Sequence, residues 1–109
     1  MGWTTTCWGA ASGLTKLEET LAERKENAPT GSYTARLFNE DDLLNAKIVE
    51  EAGELMAAET DQRITEEAAD VLYFTIAKLA KHGLTLGDVA KELDLRSRKI
   101  SRRGGDKKP

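Results

Sequence analysis

Apolar residues in this chain recur at three- and four-residue spacing almost from end to end, and no stretch of useful length alternates apolar with polar. Such spacing belongs to helices, whose successive turns align positions i, i+3 and i+4, whereas strands need a period of two. The expected fold is therefore all-α, in a four-helix-bundle-like arrangement. Leu14, Leu17 and Leu21 mark a first helix from about Ser12, and Asn27-Ala28-Pro29-Thr30-Gly31 ends it with breaker residues. Met1 to Gly13 has no helical period, and SYTARLF, Ser32 to Phe38, reads as a connection.

Asn39 offers an N-cap for a second helix, with Asp42 three residues on as a short capping-box acid; that helix runs to about Glu59. Leu44, Ile48, Val49, Ala52, Leu55 and Met56 fall in one broad sector of its wheel, the expected inner face. After a turn at Thr60-Asp61, a third helix puts Ile64, Ala68, Val71, Leu72, Thr75 and Leu79 inward, and His82-Gly83 closes it. Thr85 and Asp88 open a fourth helix through Val89, Leu93 and Ile100.

At 109 residues the chain is one domain's worth, with a modest core. No apolar run approaches the roughly 20 residues of a membrane span, and no leader pattern is evident. A single cysteine, Cys7, cannot close an internal disulfide, so a cytoplasmic protein is expected. Seven basic residues against one acid crowd Arg96 to Pro109, while the other 95 residues carry nine basic and eighteen acidic side chains. That tail has no aromatic residue on which a base could stack, which favours a solvated helix end and linker over a nucleic-acid contact.

Carboxylates gather where the second and third helices border the core: Glu50, Glu51 and Glu54 on one, Glu67 and Asp70 on the next. Like charges at three- and four-residue spacing repel by a few tenths of a kcal/mol per pair. A lone E-x-x-E would be an ordinary solvated surface. Two such sets on helices joined by a tight turn, each adjoining an apolar face, call instead for a hard divalent cation. Magnesium suits oxygen ligands and bridges carboxylates to phosphates, so hydrolysis of a phosphoanhydride is the matching chemistry. A di-iron bundle needs an E-x-x-H motif on each of two helices, and the lone histidine, His82, stands at a helix end. No serine–histidine or cysteine–histidine pair suggests a covalent intermediate.

The motif E-E-x-x-E followed by E-x-x-D resembles the all-α nucleoside-triphosphate pyrophosphatase superfamily. With LEETLAERK, PTGSYTARLF, AKIVEEAGEL, EAADVLYF and HGLTLGDV, the stretch from Leu14 to Arg103 is similar to the phosphoribosyl-ATP pyrophosphohydrolase family of histidine biosynthesis. The resemblance implies cleavage of phosphoribosyl-ATP to phosphoribosyl-AMP and pyrophosphate, in a homodimer. It implies Glu51, Glu54, Glu67 and Asp70 as magnesium ligands, with Glu50 as a further ligand or the general base beside Glu51. Arg24, Lys25, Ser32, Tyr33, Thr34 and Lys47 become candidate substrate contacts. Helix-end charge for Arg24 and Lys25, a core plug for Tyr33 and relief of carboxylate repulsion for Lys47 are the structural readings of the same residues.

TTTCWG ahead of GLTKLEE resembles the junction that follows a phosphoribosyl-AMP cyclohydrolase domain in fused histidine enzymes. The expected division is therefore a remnant or linker at 1–13, the catalytic domain at 14–103 and a linker tail at 104–109. Other histidine-pathway domains then belong to the same parent chain, of the fungal multifunctional type. Cys7 alone cannot hold zinc, which takes three or four protein ligands. A house-cleaning nucleotide pyrophosphatase and a catalytically silent assembly module are the alternatives.

Overall fold

A computed structural model of the chain describes the backbone of residues 2–103 and the side chains of residues 13–98. Its elements are α1 (Gly2–Asn27), α2 (Tyr33–Asn39), α3 (Asp41–Ala57), α4 (Asp61–Lys81) and α5 (Leu86–Arg103), with no strand among the described residues. The class is all-α, as the periodicity requires. Among the described residues there are five helices, because the Ser32–Phe38 stretch is not a bare connection.

Two of three differences from the sequence reading have clear local causes. The Pro29 carbonyl accepts from the Ser32 N–H at 3.0 Å across a turn whose Gly31 sits at φ 86°, the left-handed value that glycine adopts without penalty. Ser32 then caps α2, its Oγ accepting from the Ala35 N–H at 3.1 Å. That helix buries Leu37 and Phe38. Asn39 is not the cap of the next helix but the last residue of α2. The cap position of α3 falls to Glu40, whose carboxylate is instead held by Arg36 of α2 at 3.1 Å. The third difference is that α1 begins at Gly2, well ahead of the expected Ser12; the side chain of Cys7 lies outside the described residues.

Other helix ends follow the sequence closely. Thr60 caps α4 by accepting from the Arg63 N–H at 3.1 Å. At its far end the Leu84 N–H reaches the Leu79 carbonyl at 2.8 Å and the Gly83 N–H reaches Ala80 at 3.0 Å. This is the Schellman pattern, and Gly83 supplies its left-handed residue at φ 74°. Thr85 and Asp88 exchange bonds in both directions, 2.9 Å and 3.2 Å, and open α5 as a capping box. Glu18 of α1 adds a 2.6 Å acceptance from the Leu86 N–H, tying α5's first turn to the bundle.

Helix α4 is central and packs against α1, α2 and α3. The core joins Leu21, Leu37, Phe38, Leu44, Phe74, Ile76, Ala77 and Ala80. Not every residue of the predicted inner sectors reaches it. Val49 and Met56 are 73% and 85% exposed, and Ile64, Leu72 and Thr75 also face outward. Both helices carry apolar sectors wider than the strip their neighbours cover.

The antiparallel seam between α3 and α4 can be read pair by pair. Near one end Lys81 bonds Asp41 at 2.8 Å and Lys78 bonds Asn45 at 2.6 Å. In the middle the Lys47 ammonium lies 5.6 Å from the Phe74 ring centroid, and Tyr73 meets Phe74 edge-on. Continuing that register toward the tight Ala58–Thr60 turn brings Glu51 opposite Asp70 and Glu67. The seam thus runs from cationic, through aromatic, to acidic.

Candidate metal centre

All five acids singled out in the sequence meet at that acidic end. Glu50, Glu51 and Glu54 form one group whose candidate ligand oxygens lie within 4.8 Å of one another, and Glu51, Glu67 and Asp70 form a second. Glu51 belongs to both, so it links the two helices. The spacing explains the convergence: positions 51 and 54 share a face of α3, positions 67 and 70 share a face of α4, and the short turn fixes their register.

Burial divides the five into two kinds. The Glu51 and Glu67 side chains are 9% and 4% exposed, whereas Glu50, Glu54 and Asp70 are open to solvent. Glu51 Oε2 has Lys47 at 3.6 Å and Glu67 Oε2 has Arg63 at 2.7 Å. The other oxygen of each carboxylate, Oε1, is buried with no hydrogen-bond partner among the described residues. A buried acceptor without a donor costs about 1–3 kcal/mol, more when charged. Two such atoms at one spot are the mark of a site built for something else to complete. Burial pushes the Glu67 carboxyl above its ordinary value, against the pull of Arg63, and the neighbouring Glu54 and Asp70 push the same way.

These donors fit a hard cation. They are all carboxylate oxygens, they come from two rigid helices, and the exposed members leave a face for water or substrate. Among the described residues no histidine or cysteine joins either group, which disfavours zinc and iron.

The expected substrate contacts are more dispersed. Lys47 bonds Glu50 at 3.1 Å besides lying near Glu51. The Glu50 bond foremost, then nearby Glu50, Tyr33 and Glu51 charge, raise its pKa against burial. Tyr33 is half exposed at the start of α2. Ser32 is committed to its cap and Thr34 is half-buried beside it. Arg24 and Lys25 are exposed in the last turn of α1, with Arg24 3.8 Å from Glu23. His82 is an exposed C-cap. Arg63 was not among the sequence candidates, although its position four residues before Glu67 was a readable signal.

Beside the acids, Glu54, Ala57, Ala58, Glu59, Thr60 and Arg63 line an open hollow of about 320 Å³. No helix of the described residues is long and apolar enough to cross a membrane.

The model of the family described as phosphoribosyl-ATP pyrophosphohydrolase matches residues 14–97. The histidine biosynthesis bifunctional protein of Schizosaccharomyces pombe is 53% identical over 102 residues, which are 94% of this chain and 24% of that protein. The histidine biosynthesis trifunctional protein of Neurospora crassa is 52% identical over 102 residues, 94% of this chain and 12% of that protein. A bifunctional histidine biosynthesis protein of Pyrococcus furiosus is 42% identical over 81 residues, covering 73% of this chain and 39% of that protein. The chain thus spans about a quarter of the first relative's length and about an eighth of the second's. No solved structure matches it.

Proposed function

The chain belongs to the phosphoribosyl-ATP pyrophosphohydrolase family, and on that premise we propose that it hydrolyses phosphoribosyl-ATP to phosphoribosyl-AMP and pyrophosphate with magnesium held between α3 and α4. The observation that carries this reading is the pair of buried, partnerless oxygens, Glu51 Oε1 and Glu67 Oε1, in carboxylates that meet across the seam. Glu51, Glu54, Glu67 and Asp70 would hold the metal. When bound, magnesium polarises phosphate oxygens and offsets the charge that develops as the α–β bridge breaks.

The chain's own groups do the rest. Glu50, exposed and bonded by Lys47, stands at the solvent edge of the cluster. It is available either to take a proton from the attacking water or to add a further oxygen ligand. Lys47 limits repulsion among Glu50, Glu51 and the incoming phosphates. Tyr33 and Thr34, with Arg24 and Lys25, are the remaining candidates for ribose and phosphate contacts. The exposed apolar flanks of α3 and α4 support a homodimer. By the relatives' architecture, the domain works within a longer chain that carries other histidine-pathway domains.

The test is pyrophosphate release from phosphoribosyl-ATP, with and without magnesium, beside a panel of ordinary nucleoside triphosphates. Metal-dependent release confined to phosphoribosyl-ATP is expected, and Glu54→Gln should abolish it. Comparable turnover of the whole panel would move the assignment to a house-cleaning pyrophosphatase. No release from any substrate, with Glu54→Gln altering stability alone, would leave an assembly module.

A further inference from the structure

Each of the two buried carboxylates has a cation four residues ahead of it on its own helix, and both cations face the same oxygen. Arg63 Nη2 donates to Glu67 Oε2 at 2.7 Å, and the Lys47 ammonium lies 3.6 Å from Glu51 Oε2. Oε1 of each carboxylate has no hydrogen-bond partner among the described residues. The two oxygens of Glu67 are therefore not equivalent. One is held by a short charge-assisted bond, and the other is left for a ligand. Burial of the Glu67 side chain shields that bond from water, while Arg63 Nη1 rests against Glu66 at 3.5 Å on the solvent side.

A carboxylate with one oxygen tied offers a cation a single oxygen, and that distinction separates the hard cations. Calcium takes about six to eight oxygens and often draws two from one carboxylate. Magnesium demands a near-ideal octahedron, which the narrow bite of a two-oxygen carboxylate distorts. A cation drawing on both oxygens of Glu67 also has to approach the guanidinium against like-charge repulsion. We propose that Arg63 is a positioning residue that confines Glu67 to single-oxygen ligation through Oε1, and so tilts the site toward magnesium and away from calcium. The inference rests on the metal site proposed above and deepens it, from a hard cation to a choice between hard cations. Glu67 holds Arg63 and the metal at once, each on its own oxygen, with no movement of either side chain.

Calorimetric titration of the whole chain with magnesium and, separately, with calcium tests this without turnover. Arg63→Met keeps the apolar stem and removes the donor. Arg63→Ala also lets water reach Oε2, and serves where the unpaired Glu67 charge prevents Arg63→Met from folding. Arg63→Lys puts back a charged donor, within the reach that Lys47 shows toward Glu51 at the same spacing. The readout is the calcium Kd divided by the magnesium Kd. Lost charge, altered ionisation of Glu67 or a loosened α4 changes the affinity for two cations of equal charge alike and leaves that ratio where it was. The ratio should fall about tenfold in Arg63→Met and Arg63→Ala, within the range that a hydrogen-bond partner of a ligand contributes to metal affinity. In Arg63→Lys it should stay near the wild-type value. An unchanged ratio in the truncated variants, even with both affinities weakened, would make Arg63 a plain support of Glu67 and overturn the inference. Arg63→Lys behaving like Arg63→Ala would overturn it equally. If wild type binds no magnesium, the metal site itself fails, and this inference with it.

Discussion

A carboxylate oxygen hidden from water without a donor is a standing cost, and Glu51 bears one while the cation paired with it among the described residues, Lys47, stays 3.6 Å from the other oxygen. Such a residue should show opposite effects on stability and on function. Glu51→Gln removes the buried charge and keeps the shape, so the metal-free variant should unfold in urea with about 1 kcal/mol more stability than wild type. The same change should cut magnesium-dependent pyrophosphate release by about 10²-fold. A variant less stable without metal would mean that the Glu51 charge is already satisfied, and the site would lose its main support. Gly53 is a gentler case on the same helix. Glycine inside a helix costs about 0.5–1 kcal/mol relative to alanine, and a Cβ at this position meets nothing within 4 Å. Gly53→Ala should therefore raise the denaturation midpoint, by about that amount of stability. A loss of stability in solution would reveal a surface closing on α3 there.

At the scale of whole helices, sequence reading succeeded where a cap or stop uses side-chain chemistry unique to its position. Gly83 and the Thr85–Asp88 box each satisfy groups that helix ends leave unpaired, and both were read as such, whereas Thr60, read only as part of a turn, proves to be the cap of α4. It failed where two signals competed. Asn39 is a good cap by type, yet α2 already occupies it, and a helix of seven residues is too short to display a period. Apolar periodicity also gave the width of an inner face without saying how much of it a neighbour would cover, so Val49, Met56, Ile64 and Leu72 were assigned inward. The acidic site was legible because its register depends only on a tight turn between two well-marked helices. Arg63 was missed because a cation four residues from an acid reads as routine surface pairing. The capping box supplies the pH-dependent prediction. The Thr85 N–H, and then its hydroxyl, hold the Asp88 carboxyl below its ordinary value. An acid whose folded pKa lies below its unfolded one contributes stability in full above the unfolded value, and that contribution is lost as pH falls through the folded value. Protection of α5 amides against hydrogen exchange should hold at neutral pH and decay on acidification below about pH 4. Asp88→Asn should already show the reduced protection at neutral pH, with a flatter pH profile; a wild-type profile equally flat would deny the box its role.

Taken as a whole, the molecule exposes more apolar surface than its helices need to hold themselves together. Val49 and Met56 on α3 and Ile64 and Leu72 on α4 lie bare on the two helices that carry the acidic cluster. Scattered single residues of this kind are normal, but an apolar set on adjoining helices is the usual mark of an interface. A second copy is the occupant that the family resemblance implies, and a stable interface of standard size would bury about 1,600 Å² in total. Light scattering should accordingly give twice the chain mass, and Met56→Glu with Leu72→Glu should return a single chain by placing charges where desolvation is required. The carboxylates of the two acidic groups all come from one chain. Magnesium binding should therefore survive in the monomeric variant, while pyrophosphate release falls because the open side of the groove loses its wall. Loss of magnesium binding together with dimerisation would instead mean that the cation site is completed across the two copies. A wild-type protein that is already monomeric and active would require the groove to be closed by α1, α2 and substrate alone.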